Sequence, residues 1–184
     1  MIHPWHDLDP GRDPPQEMTV VVEIPRGSRN KYELDKESGL FRLDRVLYSA
    51  MHYPGDYGFF PRTLAEDHDP LDALVMTTVP TFAGCRLAAR PVGLFHMKDR
   101  DEMDQKVLCV PVADPFYQGH RLLSDVPDHF LREVEHFFAV YKDLEGGRVE
   151  TLGWEDREKA LELITSSMER YREKSEEESG FGVG

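Results

Sequence analysis

Hydrophobic residues take up a regular pattern at Met18. The run MTVVVEI, Met18–Ile24, is β-branched and stops at Pro25-Arg26-Gly27, a turn signal. Residues 31–34 read as a second short strand, and Asp35-Lys36-Glu37-Ser38-Gly39 as the hairpin turn that follows. Across 40–47, Leu40, Leu43 and Val46 are interleaved with charged residues. Further strands are predicted at 73–78, 90–97 and 107–112, each short, apolar and bounded by Pro, Gly or Asp. Strands of this length and spacing predict a closed or partly closed antiparallel barrel.

The last third changes period. Phe130, Val134, Phe137, Phe138 and Tyr141 fall on one face of a helix, with Asp125 and Pro127 as its start signal and Gly146-Gly147 as its stop. A second helix is predicted over 154–172, with Leu161, Ile164, Met168 and Tyr171 on one side. The predicted class is α+β, a small β-barrel flanked by two C-terminal helices. Residues 1–17 have no apolar period and are expected to be a flexible arm, 18–173 a single domain, and 174–184 a disordered acidic tail.

With 184 residues, 40% of them hydrophobic and 31% charged, the chain can bury a genuine core. No apolar run has the length of a membrane span, and the N-terminus lacks the layout of a signal peptide. Cys85 and Cys109 are far apart in apolar contexts, which suits free thiols in a reducing compartment, so a cytoplasmic location is expected. The formal net charge of −13 argues against nucleic acid as a partner. Much of that acid lies in the second helix and the tail, so a small anion received by local cations is compatible with it.

The acid is also clustered. AEDHDPLDALV holds Asp67, Asp69 and Asp72, and LFHMKDRDEMDQKVL holds Asp99, Asp101, Glu102 and Asp104 between two apolar strands. Carboxylates packed so closely repel unless something positive lies among them. Neither cluster is an EF-hand: from Asp67 the fifth and twelfth places are Leu71 and Thr78, and from Asp99 they are Met103 and Val110. Each aspartate alone reads equally well as part of a solvated turn. Two acid-rich strand ends in one small barrel, however, suit several hard divalent cations such as Mg²⁺. Cations gather too: Arg26, Arg29 and Lys31 after the first strand, Arg42 and Arg45 in the third, and Lys142 beside Tyr141. A phosphate-handling site needs both kinds of charge. Neither a GxxxxGK[ST] nor a GxGxxG loop is present, which excludes the common nucleotide-binding loops. His52, His96, His120, His129 and His136 show no metal-ligand spacing, and only His68 stands inside an acid cluster.

Five strings, in order from about Met18 to Trp154, together resemble the family I soluble inorganic pyrophosphatases, in wording closest to the bacterial, actinobacterial-like branch. They are EIPRGSRNKYELDKESG, LDRVLYSAMHYPGDYGFFPRTL, DHDPLDALV, RPVGLFHM with its DRDEMDQK extension, and HFFAVYKDLE. The resemblance implies a five-stranded barrel of oligonucleotide-binding-like shape and Mg²⁺-dependent hydrolysis of pyrophosphate to two phosphates by direct attack of an activated water. It also implies several Mg²⁺ per active site and a homohexamer. Motif by motif, Asp67, Asp72 and Asp104 match the principal metal ligands, Asp99 a further ligand, and Glu23 an acid of the metal–water network. Lys31, Arg45, Tyr57, Tyr141 and Lys142 match phosphate-binding positions, with Glu33 and Lys106 nearby, and Asp69 matches the base for the attacking water.

Two residues depart from the family pattern. His68 stands where the family usually has Gly, a residue that His follows only at some cost if φ there is positive, and Arg100 where it commonly has Glu. These departures and the N-terminal arm motivate an alternative, a catalytically weakened paralogue serving as an anion-binding or interaction module. His68 itself reads as a tolerated outward side chain, as a transition-metal ligand, or as a residue that tunes Asp69.

Overall fold

Five strands close on one another in this computed structural model, which describes residues 2–100 and 102–180. They are β1 (Met18–Ile24), β4 (Asp56–Phe59), β5 (Asp72–Val75), β6 (Arg86–Asp99) and β7 (Glu102–Pro111), paired in the ring β1-β4-β5-β7-β6-β1. An additional strand, β8 (Val149–Asp156), extends β6, and β2 (Asn30–Leu34) with β3 (Phe41–Val46) forms a separate hairpin. Helix α1 (Asp128–Val140) precedes β8, and α2 (Arg157–Gly180) follows it directly. The expected small barrel with two C-terminal helices is therefore present. Its strands are not all antiparallel, because β5 and β7 run parallel, Asp72 opposite Lys106 and Val75 opposite Cys109.

Alternation along the ring strands sorts their side chains between the two helices. Leu74, Phe95, Met97, Leu108 and Val110 pack with Val134, Phe137 and Phe138 of α1. Their sequence neighbours Ala73, Val75, Leu94, Val107 and Cys109 pack instead with Ala160 and Ile164 of α2. The first set has a consequence for chemistry. Counting by twos outward from it reaches Asp72 on β5, Lys106 and Asp104 on β7 and Asp99 on β6. Each strand thus carries apolar residues on this face in mid-barrel and charged ones at its mouth.

Two strands escaped the periodicity. In β4, DYGF, Asp56 and Gly58 weaken a strand signal, yet tertiary contacts require both. Asp56 is fully buried and accepts from Arg26 N (2.7 Å), Thr81 N (3.1 Å) and Thr81 Oγ1 (2.7 Å). A Cβ at Gly58 would come within 1.9 Å of the Val21 carbonyl oxygen, so only glycine lets β1 and β4 approach. In β8, Trp154 packs on Phe95 with ring centroids 4.9 Å apart. The second helix therefore starts at Arg157 and not near Trp154, because pairing with β6 claims Trp154 to Asp156 as strand. Asp125 does not open α1 either. Its carboxylate accepts from Arg121 N and Leu122 N, and the helix begins after Pro127.

The two ends also differ from expectation. The N-terminal segment is not a flexible arm: Trp5 is only 5% exposed and joins Val21, Leu34, Phe59 and Leu64 in a third apolar cluster. The buried indole anchors a segment that has no period of its own. Beyond 173, helix α2 continues to Gly180 where a disordered tail was expected, and residues 181–184 lie outside the described residues.

Candidate active site

A cleft of about 540 Å³ opens where the charged ends of β5, β6 and β7 meet the β2–β3 hairpin and the end of α1. It is lined by Glu23, Lys31, Glu33, Tyr57, Asp67, Asp69, Asp72, Asp99, Asp104, Lys106, Tyr141 and Lys142. Arg45 alone of the expected site residues lies outside this wall. It lines an adjoining hollow of about 610 Å³ that shares Lys31, Glu33, Asp67, Asp99, Asp104 and Lys142 with the first. Asp101 falls outside the described residues.

Lys106 is the centre of the site. It is only 3% exposed, and its ammonium donates to Tyr57 Oη (2.8 Å), Asp72 Oδ2 (2.9 Å) and Asp104 Oδ1 (2.7 Å). The parallel register that puts Asp72 opposite Lys106 creates this contact. Burial alone would push the ammonium's pKa down, but the charges of Asp104 and Asp72 outweigh it and hold the lysine protonated. Tyr57 also donates to Asp72, and its own pKa is raised well above the usual phenol value by burial and then by Asp72.

The hairpin register, Lys31 opposite Arg45 and Glu33 opposite Arg42, sets a second charged group against the first. Lys31 pairs with Glu33 and lies 3.4 Å from Asp44, while Arg45 Nε lies 2.8 Å from Glu145 Oε2 beyond α1. Glu23 Oε1 accepts from Leu34 N at 2.7 Å, tying β1 to this hairpin. Burial, with Asp72 adding, nevertheless lifts the Glu23 carboxyl to about 8. Burial also raises Asp67 and Asp104, and neighbouring carboxylates, Asp104 and Asp72 respectively, add to it. Lys142 pairs with Asp99, and Lys36 with Asp69.

These carboxylates suit divalent cations. Three of them are raised by burial and by one another, so positive charge placed among them is favoured. Among the described residues, Asp99 Oδ1 is buried without a hydrogen-bond partner, an acceptor open to a cation. Among the described residues no three such groups already converge as a finished cage, because Lys106, Lys142 and Lys36 each hold one or two of the acids. The arrangement is a hard-oxygen, cation-accepting wall facing a set of ammonium, guanidinium and phenol donors.

The loop 65–69 and the β6–β7 turn carry the two unusual residues. His68 has φ of 68° and Arg100 φ of 52°, both in the left-handed region. His68 is exposed and Arg100 lines the adjoining hollow. The sequence offers no site role for Lys36 or Tyr53 and gives Arg42 only as one of the gathered cations, yet all three line the cleft. Lys36 and Arg42 belong to a hairpin whose fold over the cleft no local pattern reveals.

A closed five-strand ring whose mouth combines clustered carboxylates with buried lysine defines a phosphate-handling barrel protein. The inorganic pyrophosphatase family model matches residues 20–172. An inorganic pyrophosphatase of Methanosarcina acetivorans is 52% identical over 157 residues, 85% of this chain and 94% of that one. One from Geobacillus stearothermophilus is 52% identical over 154 residues, 84% of this chain and 93% of its own length. Among solved structures, the inorganic pyrophosphatase of Thermus thermophilus superposes with a TM-score of 0.87 at 45% identity, covering 90% of this chain and 97% of that one. This chain belongs to the inorganic pyrophosphatase family.

Proposed function

We propose that the protein hydrolyses inorganic pyrophosphate to two phosphates, with Mg²⁺ as cofactor and by direct attack of water. The observation that carries the reading is the buried Lys106 held by Tyr57, Asp72 and Asp104 at the mouth of a cleft with Asp67, Asp69 and Asp99 on the same wall. Lys31, Tyr57, Lys106, Tyr141 and Lys142 of the cleft, with Arg45 of the adjoining hollow, receive phosphate oxygens, and Glu33 orients Lys31 through their ion pair. Glu23, Asp67, Asp72, Asp99 and Asp104 would hold Mg²⁺. When bound, the ions supply charge neutralisation at phosphate oxygens and acidify water. Asp69, at the rim, takes the proton of the attacking water. Donors already fixed around the leaving phosphate stabilise its charge without reorganising, so positioning and electrostatics supply most of the acceleration. No nucleophilic side chain is required.

Phosphate release from pyrophosphate, with and without millimolar Mg²⁺, tests the reading; no release beside a working family member would overturn it. Asp69→Asn is expected to lower kcat by about 10²–10⁴-fold, the range for a positioned base. A catalytically weakened module would bind pyrophosphate without turnover, and Asp69→Asn would leave its residual rate unchanged. No feature of the site favours that alternative: neither unusual residue displaces a site carboxylate or lysine.

We further propose a homohexamer in the cytoplasm. Exposed Leu40, Leu43, Val46 and Tyr48 on and beside β3 support self-association. Cys85 and Cys109 are free thiols, and among the described residues no helix is long and apolar enough to cross a membrane. A solution mass near that of the 21.2 kDa monomer would refute the hexamer.

A further inference from the structure

We propose that the N-terminal segment, which precedes the family match, is a clamp that positions Asp69, with His3 and Lys36 as positioning residues; the proposal rests on the role of Asp69 as base given above. Asp69 lies in a field of carboxylates, since Asp67 shares its loop and Asp72 lines the same cleft. An unpaired acid there is driven outward into solvent. The Lys36 ammonium pairs with Asp69, both side chains 49% exposed, and so keeps the carboxylate on the cleft wall.

A lysine on a free hairpin would be a loose tether. Here the hairpin is propped from outside. His3 Nε2 lies 3.0 Å from the Lys36 carbonyl oxygen, and His3 Nδ1 accepts from Trp5 N at 3.3 Å, a pair of contacts satisfied by the tautomer with its proton on Nε2. The same imidazole lies against the turn: a Cβ at Gly39, whose φ is +69°, would be 3.0 Å from His3 Cδ2.

The segment's other anchor reaches the loop that carries Asp69. The buried Trp5 donates from its indole to the Thr63 carbonyl (2.9 Å), and its own carbonyl accepts from Arg62 N (2.9 Å). Thr63 Oγ1 in turn accepts from Leu71 N at 2.9 Å, closing the loop around Asp69. Within three residues the segment therefore grips the backbones on both sides of the Lys36–Asp69 pair. That double grip is what distinguishes a positioning device from a terminus that merely packs.

The test uses the full chain as wild type, His3→Ala, Lys36→Met and the double variant, with kcat and KM measured for pyrophosphate at saturating Mg²⁺. Each single change is expected to lower kcat about two- to fivefold, the range of a half-exposed ion pair. KM should stay within about twofold, because Asp69 acts on water and does not hold substrate. The double variant should be no slower than Lys36→Met, since both changes break one linkage. Lys36→Arg should restore the rate. A wild-type kcat in either single variant, or losses that multiply in the double, would overturn the proposal. Hydrogen exchange gives a readout independent of turnover: His3→Ala should speed exchange at the Ser38 and Gly39 amides, both bonded to Asp35. Unchanged exchange would overturn the clamp even if the wild type released no phosphate, an outcome that would sink the enzymatic reading instead.

Discussion

Replacing Lys106 with Met isolates the charge at the centre of the site. The stem length is nearly kept, so packing against Tyr57 and Phe138, whose ring centroids lie 5.1 and 5.2 Å from Nζ, changes little. What goes is the ammonium and its three bonds, at 2.7 to 2.9 Å. Asp72 and Asp104 are then left facing one another without a counter-charge. Removing one partner of a buried pair costs about 3–5 kcal/mol. The carboxylates keep some access to water, with side chains 29% and 23% exposed, so the lower end applies, about 3 kcal/mol. For a chain of this size that corresponds to a fall in Tm of about 6–12 °C. Thermal unfolding followed by circular dichroism in EDTA measures it, with Lys159→Met, whose pair with Glu162 is exposed, as control. Adding Mg²⁺ should raise the Tm of Lys106→Met by more than that of the wild type, because the freed carboxylates bind the ion more tightly and only the folded state gains. A fall no larger than the control's, or an equal Mg²⁺ response, would refute the electrostatic account of the site.

Glu23 supplies a pH test in metal-free protein. Its carboxyl is raised from 4.5 to about 8, chiefly by burial, so between those values the folded state keeps a proton that the unfolded chain has lost. Its contribution is full below about pH 4.5 and is lost as pH rises through about 8. Glu23→Gln should therefore be more stable than wild type at pH 9, by about 2 kcal/mol after allowing for the partly open cleft, and matched urea titrations at pH 5 and 9 should diverge accordingly; parallel curves would contradict it. Trp5→Ala should cost about 3 kcal/mol by emptying the third apolar cluster, read as a lower urea midpoint, whereas a loosely attached arm would give no change. His68→Gly should gain about 0.5–1 kcal/mol by relieving a left-handed histidine, with unchanged turnover in Mg²⁺, Mn²⁺ and Zn²⁺; a loss of Zn²⁺-supported activity would instead make His68 a ligand.

Much of the site was legible because its chemistry is local in sequence. Asp67, Asp69 and Asp72 fall within six residues, and Asp99 and Asp104 flank one tight turn, so both groups reach the cleft with few folding decisions between them. Lys36 is hidden because DKESG explains itself as a turn, which it also is: Asp35 accepts from Ser38 N at 2.8 Å. The packing of the N-terminal segment is hidden for a related reason. Periodicity measures how a segment packs along its length, and this one is held at separate points, by the buried Trp5 indole and by the contact of His3 with the Lys36 carbonyl.

The apolar runs of β5, β6 and β7 determined by themselves that these segments would be strands, in which residues two apart share a face by geometry alone. The apolar stripe of α1 did the same for a helix, which now covers one such face with Phe137 and Phe138. Which acids would meet which cations was decided only by tertiary structure. The parallel pairing of β5 with β7 brings Asp72 to Lys106, and the hairpin's fold over the cleft brings Lys36 to Asp69. Strand registers and long-range ion pairs depend on segments far apart in the chain, and a local pattern carries no record of them.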